Sequence, residues 1–258
     1  MAQHIHPDYQ SITPALNSLI DHFEEVGTII QKSRNTIKKI SVGNQVLNVK
    51  SYKIPNVFNK LAYRYIRMSK AKRSFVYAEK LLSLGIKTPL PVAYYEEFSP
   101  SGLKKSFYIC EQLDDAFTLR QFLESPECSN QQGVMEQFVA FTFDLHHKGV
   151  EFLDNTTGNT LIRSVGNGKY EFYLVDINRM KFHSAPMHFS SRMKNLSLLS
   201  NNKKIMQTIS TQYAIIYKKS AEEVFKTMLC FSNFYEKRRE LKRSMKYVLK
   251  FKFLVGNA

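Results

Sequence analysis

The chain has 258 residues, 43% of them hydrophobic, and carries 37 Lys and Arg against 22 Asp and Glu, a net charge of +15. That length and apolar content suit one bilobal unit or two small domains with a sizeable core, and exclude a disordered or fibrous chain. The positive excess predicts attraction to something acidic, whether nucleic acid, an anionic membrane face, or a phosphorylated or carboxylated substrate. No run reaches the roughly 18 apolar residues that a membrane-spanning helix needs. Three dispersed cysteines, Cys110, Cys128 and Cys230, with no N-terminal apolar signal segment, point to a reducing compartment and ordinary packing roles.

In chain order, Thr13-Pro14 pairs an N-cap residue with a proline at the first helical position, so a helix is expected to about Phe23. Thr28–Ile30, Thr36–Ile40 and Val46–Tyr52 are separated by polar turns, which predicts a three-stranded meander. On its last strand Leu47 and Val49 share one face and Asn48 and Lys50 the other, with Lys53 a second lysine just beyond. Asn56 to about Leu84 has helical spacing and is strongly basic: Lys60, Arg64, Arg67, Lys70, Lys72, Arg73 and Lys80 face only Glu79. Gly85 ends it, and an extended run Thr88–Tyr94 leads through a turn at Phe98–Gly102 to the apolar strand Phe107–Leu113.

That strand and its exit are the expected hinge, giving an N-terminal lobe of residues 1–113 and a C-terminal lobe of residues 114–258. Beyond it, a short helix over Leu119–Glu124 and a longer buried one over Gln132–Lys148 precede some three helices at the end of the chain. The stretch Glu236–Lys252 holds eight basic and two acidic residues. If helical, it puts Leu241, Met245 and Val248 on one face, either packed on the domain with a solvated basic side or also touching anionic lipid. His4 and His6 are expected at a frayed terminus, and the adjacent His146 and His147 diverge on their helix, so none of these forms a metal site.

The chemistry concentrates between the long buried helix and the next strand. Asp154 and Asn159 lie five residues apart on a loop there, and the apolar Tyr173-Leu174-Val175 ends in Asp176. A kinase catalytic loop has this layout: the Asp takes the proton of the attacking hydroxyl, the Asn holds a magnesium ion, and a second Asp completes the metal site. Thr160–Val175 reads as a hairpin turning at Gly166-Asn167-Gly168, which brings its two ends together. Upstream, Ser33-Arg34-Asn35 forms either a phosphate-contacting turn or an exposed hairpin tip, and Lys50 either reaches the phosphates or lies on a strand surface. At the hinge, backbone groups from Glu111 to Leu113 would meet the adenine edge.

Taken together, Ser33–Lys38, Val49–Tyr52, Ala71–Phe75, Gly85–Pro89, Leu145–Val150, Asp154–Asn159 and Leu174–Met180 resemble the lipopolysaccharide kinase (Kdo/WaaP) family of the protein-kinase-like superfamily, in its Bacteroidetes form. The resemblance implies an α+β, two-lobed protein-kinase-like fold, with an N-terminal antiparallel sheet and one long helix, then a mainly helical C-terminal lobe. It also implies ATP-dependent phosphorylation of a sugar hydroxyl on the lipopolysaccharide inner core or lipid A precursor. Asp154 would be the catalytic base, Asn159 and Asp176 the Mg2+ ligands, and Lys50 the phosphate-binding lysine. The expected partner is an acidic glycolipid and not nucleic acid, met in the cytoplasm with peripheral contact at the inner face of the inner membrane.

Two departures accompany the resemblance. Phe152 and Leu153 stand where kinases usually carry a His or Tyr and a basic residue before the catalytic Asp. Val76 stands where similar sequences carry an acid to pair with Lys50, leaving Glu79, one turn along, as a substitute. With the glycine-poor turn, these motivate an alternative: a pseudokinase that binds nucleotide or a partner only. A kinase for proteins or small molecules, and a basic nucleic-acid-binding protein, are the further rivals.

Overall fold

The computed structural model describes residues 1–124 and 131–255; Cys128 lies outside them. The chain packs as two compact units, Met1–Gln121 with Gly158–Met180, and Phe122–Thr157 with Lys181–Ala258.

The first unit is built on a six-stranded antiparallel sheet in the order β1-β5-β6-β4-β3-β2. The expected meander is present as β2 (Thr28–Lys32), β3 (Thr36–Val42) and β4 (Gln45–Ser51), followed by β5 (Pro91–Ser99) and β6 (Gly102–Glu111). Alternation on β4 does the sorting. Leu47 and Val49 turn into a core with Ile40, Phe107 and Ile109, closed by Leu16, Leu19 and Ile20 of α1 (Thr13–Asp21). Lys50 points to the opposite face, where Tyr52, Tyr108 and Cys110 pack with Ala71 and Phe75 of α3 (Lys70–Ser83). The buried Lys38 spends its ammonium protons on the carbonyls of Phe23, Glu24 and Val26, at 2.5, 3.0 and 2.9 Å, tying the chain after α1 to the sheet.

Two expectations change here. The N-terminus is not frayed: β1 (Ala2–Ile5) pairs with β5, and the His4 ring stacks on Tyr94 and meets Phe75 edge-on. An otherwise open sheet edge supplied the partners that local sequence does not reveal. The basic helix is two helices, α2 (Val57–Tyr65) and α3, because Ser69 caps α3 by accepting from Lys72 N at 3.1 Å. A three-stranded sheet, β10-β9-β7, completes the unit from β7 (Ala116–Thr118), β9 (Thr160–Ser164) and β10 (Tyr170–Leu174).

The second unit is mainly helical, with α5 (Gln131–His147), α6 (Phe189–Leu196), α7 (Lys203–Tyr217) and α8 (Ala221–Val255); the short α4 (Leu119–Glu124) spans the boundary. Val224, Met228 and Ser232 repeat every four residues and seat the first half of α8. Farther along, the expected packing face fails, since Leu241 and Met245 are 63% and 61% exposed. Helical spacing placed them on one face, but nothing in the sequence supplies a surface for that face to meet. Val248 is among the side chains not described. Cys230 is exposed on α8, not packed inside. No helix among the described residues is long and apolar enough to cross a membrane.

Candidate active site

The face of the first unit's sheet that carries Lys50 walls a cavity of about 720 Å³. Its lining includes Ser33, Arg34 and Asn35 from the β2–β3 turn, Lys50 from β4, Glu111 and Leu113 from the end of β6, and Asn159 and Asp176 from the two ends of the β9–β10 hairpin. These residues span the sequence from 33 to 176, and strand pairing is what gathers them. Within β9 and β10 the register runs from Tyr170↔Ser164 to Leu174↔Thr160, so Asn159 and Asp176 emerge at the same end. Val175 N donates to Asn159 O at 2.9 Å. Thr88 Oγ1 donates to Leu174 O at 2.7 Å and Leu174 N to Lys87 O at 3.0 Å, which stitches the hairpin to the segment entering β5. Nearby, hydrogen bonds from Lys87, Tyr173 and Arg163 hold the Glu171 carboxyl down at about 2.

Lys50 Nζ donates to Asp176 Oδ1 at 2.7 Å, and Asn178 Nδ2 donates to the same oxygen at 2.6 Å. Asp176 holds φ +53°, a left-handed conformation that Asp tolerates better than most side chains and that recurs at functional sites. Both of these bonds fall on Oδ1. Asp176 and Asn159 both line the cavity, and their side-chain oxygens are of the kind a hard cation takes. Mg2+ suits that donor set, since it is held by one or two protein oxygens and takes its other ligands from phosphate and water. Among the described residues no three His, Cys, Asp or Glu come together as a metal group, so the metal would depend on those outside ligands.

Cations crowd Asp176. Burial, then the charges of Arg34 and Arg73, push the Lys70 ammonium below its ordinary value, and Lys50 adds to the effect. At this wall α3 presents Ser74, bonded to Tyr52 Oη at 2.8 Å. Glu79 is exposed on α3 and outside the cavity lining, so the acid joined to Lys50 is Asp176. Burial raises the Cys110 thiol to about 12, which leaves it an inert part of the wall. The expected boundary near residue 113 falls inside the first unit, which runs to Gln121. At the end of β6, Glu111 N and Gln112 N are engaged by Leu90 O and Val46 O, and the Glu111 carboxylate accepts from Tyr9 Oη at 2.7 Å.

Asp154 belongs to the second unit, half-buried on the loop after β8 (Val150–Phe152). Gly149, at φ +73°, precedes that strand where a Cβ would lie 2.6 Å from His183 O and 2.7 Å from Ala185 O. The departure at Phe152 has a structural counterpart. Its ring is fully buried, and its carbonyl accepts from Asn195 Nδ2 at 2.7 Å. Asn155 Nδ2 donates to Asn195 Oδ1 at 2.9 Å, so one α6 amide grips the loop on both sides of Asp154. A second cavity in this unit, about 700 Å³ and bordered by Met135, Ile205 and Gln212, has no Asp or Glu in its lining.

The model of the lipopolysaccharide kinase (Kdo/WaaP) family matches residues 43–217, more than half of the chain. The chain belongs to that family. A solved structure described as WaaP in complex with acyl carrier protein aligns over 93% of this chain and 98% of its own, with a TM-score of 0.62 at 16% identity. That likeness establishes the two-lobed protein-kinase-like fold. No curated protein matches the sequence.

In this Kdo/WaaP-family chain, sequence reasoning missed Asn195 and its support. His146 Nε2 lies 3.0 Å from Asn195 Oδ1 and His146 Nδ1 lies 2.9 Å from Tyr213 Oη, to which Arg192 Nη1 donates at 3.1 Å. No motif marks this network; the only signal is a polar residue at an apolar position between Met193 and Leu196. Burial, and then the Arg192 charge, lowers the His146 pKa to about 4. Between pH 6.5 and 4 the unfolded chain binds this proton and the folded one does not, so stability falls with pH across that window, by about 3 kcal/mol from this group. Urea titrations at pH 7 and pH 4 should show that loss, and it should be smaller in His146→Gln.

Proposed function

We propose that this chain transfers the γ-phosphoryl group of ATP to a sugar hydroxyl on a lipopolysaccharide core or lipid A precursor, at the inner face of the inner membrane. The observation that carries this reading is the Lys50–Asp176 contact of 2.7 Å in a cavity whose wall also holds Asn159. Lys50 and Arg34 supply fixed positive charge for the phosphates, and the segment Glu111 to Leu113 lines the part of the cavity that would receive the base. Asp154 accepts the acceptor's proton. Mg2+ held at Asn159 and Asp176 would neutralise charge on the phosphates. Catalysis of this kind rests on positioning and electrostatics, which suits a site where Lys50 and Arg34 stand beside Asp176. An acidic glycolipid also fits a chain of net charge +15.

The test is thermal stability with and without ATP and Mg2+. At a hundredfold excess of ligand over Kd, binding adds about 2.7 kcal/mol, a rise of about 5 to 10 °C for a chain of this size. Asp176→Asn should lose the magnesium-dependent part of that rise. No rise in the wild type at millimolar nucleotide would sink the ATP-dependent reading and favour a partner-binding pseudokinase.

A further inference from the structure

The most exposed apolar surface of the first unit lies on α2, away from the cavity. Phe58 is 85% exposed, Ile66 84%, Tyr65 70%, Val57 65% and Leu61 43%. At about 100° per residue, Val57, Leu61, Tyr65 and Phe58 fall within an arc of about 100°, with Lys60, Arg64 and Arg67 along its edge and Tyr63 opposite. Tyr63 is the buried residue, so the apolar arc faces outward. The helix cannot roll to hide it. A Cβ at Gly102 would lie 2.5 Å from the carbonyl carbon and oxygen of Lys60, which shows how closely the α2 backbone sits on the β5–β6 turn. Arg64 donates to Ser99 O on the same turn.

We propose that α2 docks this chain on an anionic phospholipid bilayer, with the Phe58 ring and the Tyr65 side chain entering the boundary between headgroups and acyl chains. Three features choose this occupant. From Lys53 to Arg67 there are four basic residues and no acid, complementary to anionic headgroups. A second copy seated on the same face would bring two such fields together, which disfavours self-association. The apolar side chains also project as a ridge and line neither cavity, so they suit a yielding surface better than a shaped protein groove. Lys60 and Arg67, at the edge of the arc, can lay their stems along the apolar layer and keep their charges at the phosphates. The inference uses neither Asp154 nor the cavity, so it stands or falls apart from the proposed phosphoryl transfer.

The chain has no tryptophan, so Phe58→Trp places a single, selectively excitable tryptophan at the proposed contact. With vesicles of phosphatidylglycerol and phosphatidylethanolamine, its emission should shift to the blue and be quenched by brominated lipid; phosphatidylcholine vesicles should do neither. Co-sedimentation with the anionic vesicles should fall about tenfold or more in the double variant Phe58→Ser, Tyr65→Ser. Its melting temperature and its response to ATP and Mg2+ should match the wild type, because both side chains are solvent-exposed. Three results would overturn the proposal: no sedimentation of the wild type with anionic vesicles, equal sedimentation of the double variant, or a blue shift that grows with protein concentration without lipid. The last would assign the face to a second copy.

Discussion

Asp154→Asn is expected to slow phosphoryl transfer about 10²- to 10⁴-fold, the usual effect of removing a positioned general base. The substitution keeps the size of the side chain, and the loop around it is held elsewhere. Phe152 is buried and its carbonyl is bonded, and Asn155 is fixed to Asn195, so the fold should not change. Nucleotide-dependent thermal stabilisation should persist, since the cavity residues of the first unit remain. Transfer assayed with a lipid A core acceptor, beside the melting curves, separates the two properties. Equal rates for wild type and variant would remove Asp154 from the chemistry.

Asn195→Leu is expected to produce the largest loss of stability among simple substitutions. Leucine has similar volume but leaves Phe152 O, Asn155 Nδ2 and His146 Nε2 without their partner in a buried setting. An unpaired buried group costs about 1–3 kcal/mol, and in a coupled network the total should reach about 3 to 5 kcal/mol. Asn195→Asp should distinguish loop anchoring from general packing. It can still accept from Asn155 and His146 but cannot donate to Phe152 O, so it should recover part of the stability while transfer stays reduced. Chemical denaturation read with single-turnover kinetics checks both.

Much of the fold was legible because it rests on local alternation. The strands at 28–32, 36–42 and 45–51, and the outward turn of Lys50 from Leu47 and Val49, follow from period-two patterning and polar turns. The hairpin from Thr160 to Leu174 followed from its Gly-Asn-Gly turn, and its register explains why Asn159 and Asp176 meet at one cavity. What local pattern does not encode is which surface receives a given face. Ala2 to Ile5 becomes a strand only because β5 leaves an edge to pair with, and Leu241 and Met245 stay exposed although their spacing matches a packing helix. Asn195 could not be read for the same reason. Its meaning lies in contacts with residues 43 and 40 positions away, Phe152 and Asn155. Glu79 shows the limit of helical spacing as a guide, since sharing a face with position 76 did not carry it to the cavity, where α3 places Ser74.

The left-handed backbone at Asp176 decides which replacements there can be interpreted. Asparagine accepts that conformation about as readily as aspartate, so Asp176→Asn removes a charge and leaves the main chain undisturbed. Alanine or a branched residue would add a conformational penalty of about 1 kcal/mol or more on top of the lost carboxylate. A loss of nucleotide response in such a variant would confound geometry with charge. The amide is the one neutral probe that isolates electrostatics at this position.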